Sequence, residues 1–127
     1  MSEYQPRLDD MTFTLNHVAG LEAVSKLNGY QHADPVTVGT ILEEAGRFFS
    51  EVIAPLNRIG DVQGSVLTED GTVRTPDGFK EAYQKYLESG WASAQLPEEW
   101  GGGGLPYMIG VAIQETSTLF IGCWMKK

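Results

Sequence analysis

The side chains with reactive potential are few and scattered. Glu98 and Glu99 form a neighbouring carboxylate pair. General acid/base work needs two such groups within reach of one substrate, and adjacent loop residues rarely converge. The pair therefore reads as a solvated turn. Glu115 is the one charge in an otherwise apolar stretch from 106 to 120. Burying it would require a partner; none is visible in the chain, which hints at a surface supplied from elsewhere. His17 and His32 stand apart, without carboxylates or cysteines at ligand spacing, so no metal site is expected. Cys123 is the sole cysteine, with no disulfide partner in the chain and only Lys126 and Lys127 as nearby cations. No Gly-x-Ser-x-Gly nucleophile elbow occurs. Catalytic residues: none are expected.

The glycine run "LPEEWGGGGLP", residues 96–106, is the remaining candidate. A dinucleotide fingerprint needs Gly-x-Gly-x-x-Gly. Starting at Gly101, Pro106 falls in the third glycine place; starting at Gly102, Tyr107 does. A P-loop would end in Gly-Lys-Ser/Thr, which is also missing. A flexible linker would be longer and serine-rich. The remaining reading is a tight turn at the start of a helix, where glycine supplies positive φ and close backbone approach.

The elements that would position these residues are mostly helical. Residues 1–13 read as an extended arm in which Met11, Phe13 and Leu15 alternate. A short helix is expected from Leu15 to Leu27, ended by Asn28-Gly29. The strongest helix opens at Asp34-Pro35, where Asp caps free N–H groups and Pro is preset for the first turn. Val38, Ile41, Leu42, Ala45, Phe48, Phe49 and Val52 follow at three- and four-residue steps, and Pro55 ends the run. Residues 57–75 read as a long connection holding a short hairpin about Asp70-Gly71. Thr75-Pro76 would open another helix, with Phe79, Ala82, Tyr83, Tyr86 and Leu87 on one face and Gly90 as its stop. Residues 91–96 look like an extended connector. Pro106 opens a last helix to about Phe120, apolar almost all round and so expecting cover on every side.

The chain has 127 residues, enough for one domain with a modest core. Its 42% apolar content is that of a globular protein. A net charge of −8 argues against nucleic acid, which needs Lys and Arg to neutralise phosphates. The charged N-terminus is not a signal peptide. No apolar run reaches the ~18 residues of a membrane span, and a cytoplasmic location is expected. The expected organisation is an arm and short helix over 1–33, a helical domain over 34–120 and a tail over 121–127. The fold class is all-α.

The pattern "Gly90-Trp91-x4-Leu96-Pro97-Glu98-Glu99-Trp100-Gly101-Gly102-x-Gly104-Leu105" resembles the loop joining two helices in the N-terminal domain of acyl-CoA dehydrogenases. "TPDGFKEAYQKYLESGW" is similar to the helix leading into that loop, and "ILEEAGRFFSEVIAPLNRIGD" to the family's first long helix. The arm "YQPRLDDMTFTLNHV" is similar to the N-terminal extension of the large bacterial members, the subgroup that includes 3-methylmercaptopropionyl-CoA dehydrogenases. Together these cover roughly residues 4–118.

The resemblance implies an FAD-dependent oxidoreductase that dehydrogenates acyl-CoA thioesters of fatty acid metabolism and passes electrons to an electron-transferring flavoprotein. It implies that the flavin and the catalytic glutamate belong to middle and C-terminal domains, so no FAD is expected on this chain alone. It makes Pro97, Gly101, Gly102, Gly104 and Leu105 a structural turn, with Gly103 at a variable place. Leu119 and Phe120 are its candidates for the acyl pocket, and residues 121–127 match nothing in the family. The implied function is a truncated scaffold of such an enzyme, inactive by itself. The alternative is a non-catalytic helical module that docks its apolar last helix on a partner chain or on a second copy.

Overall fold

The computed structural model describes residues 5–121, and only the backbone for 119–121. Six helices and one small hairpin follow in order. Helix α1, Leu8–Phe13, runs on through a π turn at Thr14–Val18, and α2 spans Leu21–Ser25. Helix α3, Pro35–Phe48, continues through a π turn at Phe49–Ile53, and α4 spans Leu56–Gln63. Strands β1, Val66–Leu67, and β2, Val73–Arg74, precede α5, Phe79–Glu88. Two short 3-10 turns, Trp91–Ser93 and Glu98–Trp100, lead to α6, Tyr107–Ile121. The described chain is thus mostly helical, as expected from the sequence.

Helix α3 begins as its sequence dictates. The Asp34 carboxylate accepts the amides of Val36 and Thr37 at 3.0 and 3.2 Å and the Thr37 hydroxyl at 2.5 Å. The Thr37 hydroxyl is the main reason that the Asp34 carboxyl is held below its ordinary value. Ahead of Pro55 the helix widens, and the Ala54 amide reaches back to the Phe49 carbonyl at 2.8 Å. The wider turn ends the regular helix before a residue whose ring and missing N–H do not fit one.

The core joins both ends of the chain. Val38, Leu42 and Ala45 from α3 and Phe49 from its π turn pack in one cluster with Leu15, Leu21 and Ala33 before them and with Ile109, Ala112 and Ile113 of α6. Helix α3 lies against α6 on one side and α1 on another. Ile109 is 0% exposed, so α6 is a central element of the core.

Five local expectations change. The arm is helical from Leu8, because its apolar residues serve a four-residue period: Met11 and Leu15 are buried and Phe13 is exposed. Gly20, at φ +72°, separates that helical stretch from α2. The connection after 56 contains α4, whose last residue Gln63 holds the turn before α5. Its side chain accepts the Asp77 amide at 2.8 Å and donates to the Asp77 carboxylate at 2.9 Å. Consequently α5 starts at Phe79 after Gly78 rather than at Thr75-Pro76. Residues 91–96 form a 3-10 turn and bends instead of an extended connector.

The hairpin lies where Asp70-Gly71 placed it. Val66 pairs with Arg74 and Leu67 with Val73, antiparallel. Asp70 gathers the Thr68 and Thr72 hydroxyls at 2.5 and 2.9 Å, and these, Thr68 first, hold its carboxyl below the ordinary value. All four strand residues are exposed.

Candidate functional site

The segment from Ser93 to Leu105 folds back on itself and seats the start of α6. Five successive amides are spent on backbone carbonyls of this loop. Gly101 donates to Glu98 at 2.9 Å, Gly102 to Pro97 at 3.1 Å, Gly103 to Ser93 at 3.2 Å, Gly104 to Leu96 at 2.9 Å and Leu105 to Ala94 at 3.0 Å. A phosphate cradle works by presenting unpaired amides to the anion. These amides are already paired, so the glycine run does not fit the pyrophosphate of a flavin or any other nucleotide. Its chemistry is that of a brace.

Glycine is required here for two distinct reasons. Gly101 and Gly104 have φ of +77° and +60°, which L side chains rarely adopt. Gly102 and Gly103 are held by close approach. A Cβ on Gly102 would stand 2.1 Å from the Leu96 carbonyl oxygen, and one on Gly103 would stand 2.8 Å from that of Ala94. Gly103, expected to be the tolerant member, is therefore crowded by backbone. The Ala94 oxygen that it would displace is also the acceptor for Leu105. Pro97 opens the short 3-10 turn at Glu98–Trp100, and Leu105 enters the core at 8% exposure.

The neighbouring carboxylates do not act together. Glu99 accepts the exposed Trp100 indole N–H at 3.0 Å, whereas the Glu98 side chain lies beside Gly104. One contact had no signal in the sequence. The Gln95 side chain lies so close to Gly110 of α6 that a Cβ there would fall 1.4 Å from its amide oxygen. Gly110 thus lets the loop lie directly on the helix.

Helix α6 is less uniformly apolar than its composition suggests. Thr116, 1% exposed, donates its hydroxyl to the Ala112 carbonyl at 3.1 Å and lies 3.6 Å from the Met11 sulfur. Ser117 donates to the Gln114 carbonyl at 2.8 Å. These local bonds let hydroxyls enter the core without loss. Glu115, expected to need a burial partner, is instead exposed, because the helix turns it to the rim of a groove shared with α1. That groove holds about 400 Å³ and includes Arg7 and Asp10, which form an exposed ion pair at 2.5 Å.

Other candidates stay dispersed. His17 is exposed and stacks loosely on Phe13, with ring centroids 4.8 Å apart. His32 is exposed elsewhere. Among the described residues no group of three or more His, Cys, Asp or Glu could hold a metal ion. Leu119 and Phe120 lie on the α6 backbone, but their side chains fall outside the described residues, as does Cys123. Among the described residues no helix is long and apolar enough to cross a membrane.

A second groove, of about 590 Å³, runs between α5 and the π turn of α3. Phe49, Ile53, Phe79, Tyr83 and Tyr86 line it, with Lys80 as its one charged group. Burial, and then the neighbouring Tyr83, push the Tyr86 phenol above its ordinary value. Sequence periodicity had put most of these residues on one face of α5 without showing that the face stays open.

No family profile matches the chain. It is similar to a 3-methylmercaptopropionyl-CoA dehydrogenase from Ruegeria pomeroyi, with 40% identity over 112 residues. The match takes in 88% of this chain and 19% of that relative, so the chain spans about one-fifth of its length. The resemblance read from the loop and helices is borne out: this chain is a homologue of an acyl-CoA dehydrogenase over most of its own length.

Proposed function

We propose that this chain is the helical scaffold segment of an FAD-dependent acyl-CoA dehydrogenase and contributes architecture rather than reacting groups. The observation that carries this reading is the 40% identity across 88% of the chain. The spent amides of the glycine loop support it, since they leave that loop a mechanical role. The loop braces the start of α6, and α6 extends toward Leu119 and Phe120, which we assign to the wall of the acyl pocket. The substrate class is an acyl-CoA thioester, with the sulfur-containing 3-methylmercaptopropionyl group as the first to try. Flavin, catalytic base and the contact with an electron-transferring flavoprotein are assigned to polypeptide outside these residues, in a cytoplasmic enzyme.

The test has two arms. The purified 127-residue chain is expected to retain no FAD and to leave acyl-CoA unoxidised in a dye-reduction assay. Joined to the rest of the Ruegeria pomeroyi enzyme in place of the segment it matches, it is expected to restore FAD retention and turnover. Stoichiometric FAD and dye reduction by the chain alone would overturn the scaffold reading.

A further inference from the structure

Helix α1 depends on its neighbours for its place. It has six residues before its π turn and no side-chain cap at its start. A helix that short is marginal in water by itself, so packing must hold it. Three side chains along one face do so. Leu8, with Pro6 ahead of it, sits on Gly46 of α3, where a Cβ would stand 3.3 Å from Leu8 Cδ1 and 2.9 Å from Pro6 Cγ. Leu15 enters the main apolar cluster. Between them Met11, 8% exposed, meets α6, and the Thr116 hydroxyl approaches its sulfur at 3.6 Å.

Of these anchors only Met11 can be altered by redox chemistry, because a thioether is oxidised to a sulfoxide. Met11 also lines the groove of about 400 Å³ between α1 and α6. Met108, the other methionine among the described residues, lines it too. The groove gives a molecule the size of hydrogen peroxide a route to the sulfur. A sulfoxide adds an oxygen and a strongly polar S–O bond to a packed apolar side chain. That oxygen needs a hydrogen-bond donor. Thr116 has one hydroxyl hydrogen, which already serves the Ala112 carbonyl at 3.1 Å. Further donors, Arg7 and Thr14, line the groove itself. The sulfoxide is therefore satisfied by leaving the α6 surface for the groove.

We propose that Met11 is a reversible oxidation site that latches α1 to α6. A hydroperoxide converts its thioether to the sulfoxide, and α1 then leaves α6 while α3 and α6 stay packed. In that step the sulfur lone pair attacks a peroxide oxygen. The O–O bond breaks, an S–O bond forms, and water or an alcohol departs. Sulfur loses two electrons and the peroxide gains them. A dithiol reverses the step through methionine sulfoxide reductases, giving thioether, disulfide and water. Nothing in this latch depends on the flavin or on the family reading.

The experiment treats the 127-residue chain with hydrogen peroxide, and peptide mass spectrometry separates Met11 from the other three methionines. Hydrogen–deuterium exchange is compared before and after treatment. In the Met11 sulfoxide form, exchange over residues 8–15 is expected to quicken about tenfold or more, with residues 38–48 of α3 unchanged. Reductases for both sulfoxide epimers, supplied with dithiothreitol, are expected to restore the original rate. Met108→Leu is expected to respond to peroxide as the parent chain does. Met11→Leu, which nearly conserves volume, is expected not to respond. Met11 left as a thioether while Met108 is converted overturns the proposal, and so does Met11 sulfoxide with unaltered exchange. Equal quickening in Met11→Leu assigns the effect to another methionine and overturns it as well. Equal quickening in α3 means general unfolding, which removes the latch. Exchange that the reductases fail to restore overturns its reversibility.

Discussion

The glycine loop with α6 and the α5 side with its hairpin end in opposite states. In the loop, five consecutive amides have backbone acceptors and the start of α6 is sealed under Leu105. On the α5 side, aromatic side chains line an open groove and the hairpin strand residues are exposed. The first region satisfies its loop amides from its own backbone. The second leaves an apolar groove open among the described residues. The proposed scaffold reading uses both: one part that fixes its own shape and another that stays open.

Substitutions can break that contrast. The largest effect is expected in the closed region. Ile109→Ala should cost about 4 kcal/mol, since it empties a fully buried site; urea unfolding measures it. Gly102→Ala should follow at about 3 kcal/mol, because the clash is with backbone and overpacking cannot be relieved by a rotamer. Gly103→Ala should cost about 2 kcal/mol through the displaced Ala94 carbonyl, close to the cost of Gly104→Ala through its positive φ. A silent Gly103→Ala would show that the turn is looser than its hydrogen bonds imply.

On the open side, Tyr83→Ser should change the stability of the chain alone by less than about 0.5 kcal/mol, as exposed substitutions do. A loss of several times that would mean that the α5 face is already structural in isolation. The smallest effect belongs to the Asp34 cap. Its carboxyl is held below the ordinary value in the folded state, so its contribution is present above the unfolded value and fades as pH falls through the folded one. Asp34→Asn should therefore lower the thermal midpoint slightly at neutral pH, and the difference should shrink as pH falls below the ordinary carboxyl range. A difference that persists in acid would assign the cap's effect to something other than charge.

How much of this was legible in the residues depends on the range of the forces involved. The α3 cap, the stop before Pro55 and the hairpin at Asp70-Gly71 are local, and each follows from a few adjacent residues. The α1 error had a local cause too: Met11, Phe13 and Leu15 satisfy a two-residue alternation, while Leu8, Met11 and Leu15 satisfy a helical period. Only burial of Met11 and Leu15 beside exposed Phe13 separates the two. Glu115 was misjudged because composition counts apolar residues without saying which way a single charge points.

The sequence by itself determined the helical class, the caps, the kinship to an acyl-CoA dehydrogenase and the exclusion of nucleotide motifs from the glycine run. Those depend on residue order and spacing. Tertiary structure alone decided that the glycine amides are spent, that Gly103 is crowded by backbone, that Gly110 admits Gln95, and that the α5 face leaves an apolar groove open among the described residues. Each of these depends on which surfaces meet across long stretches of chain, and close packing settles that by distances of a few tenths of an ångström.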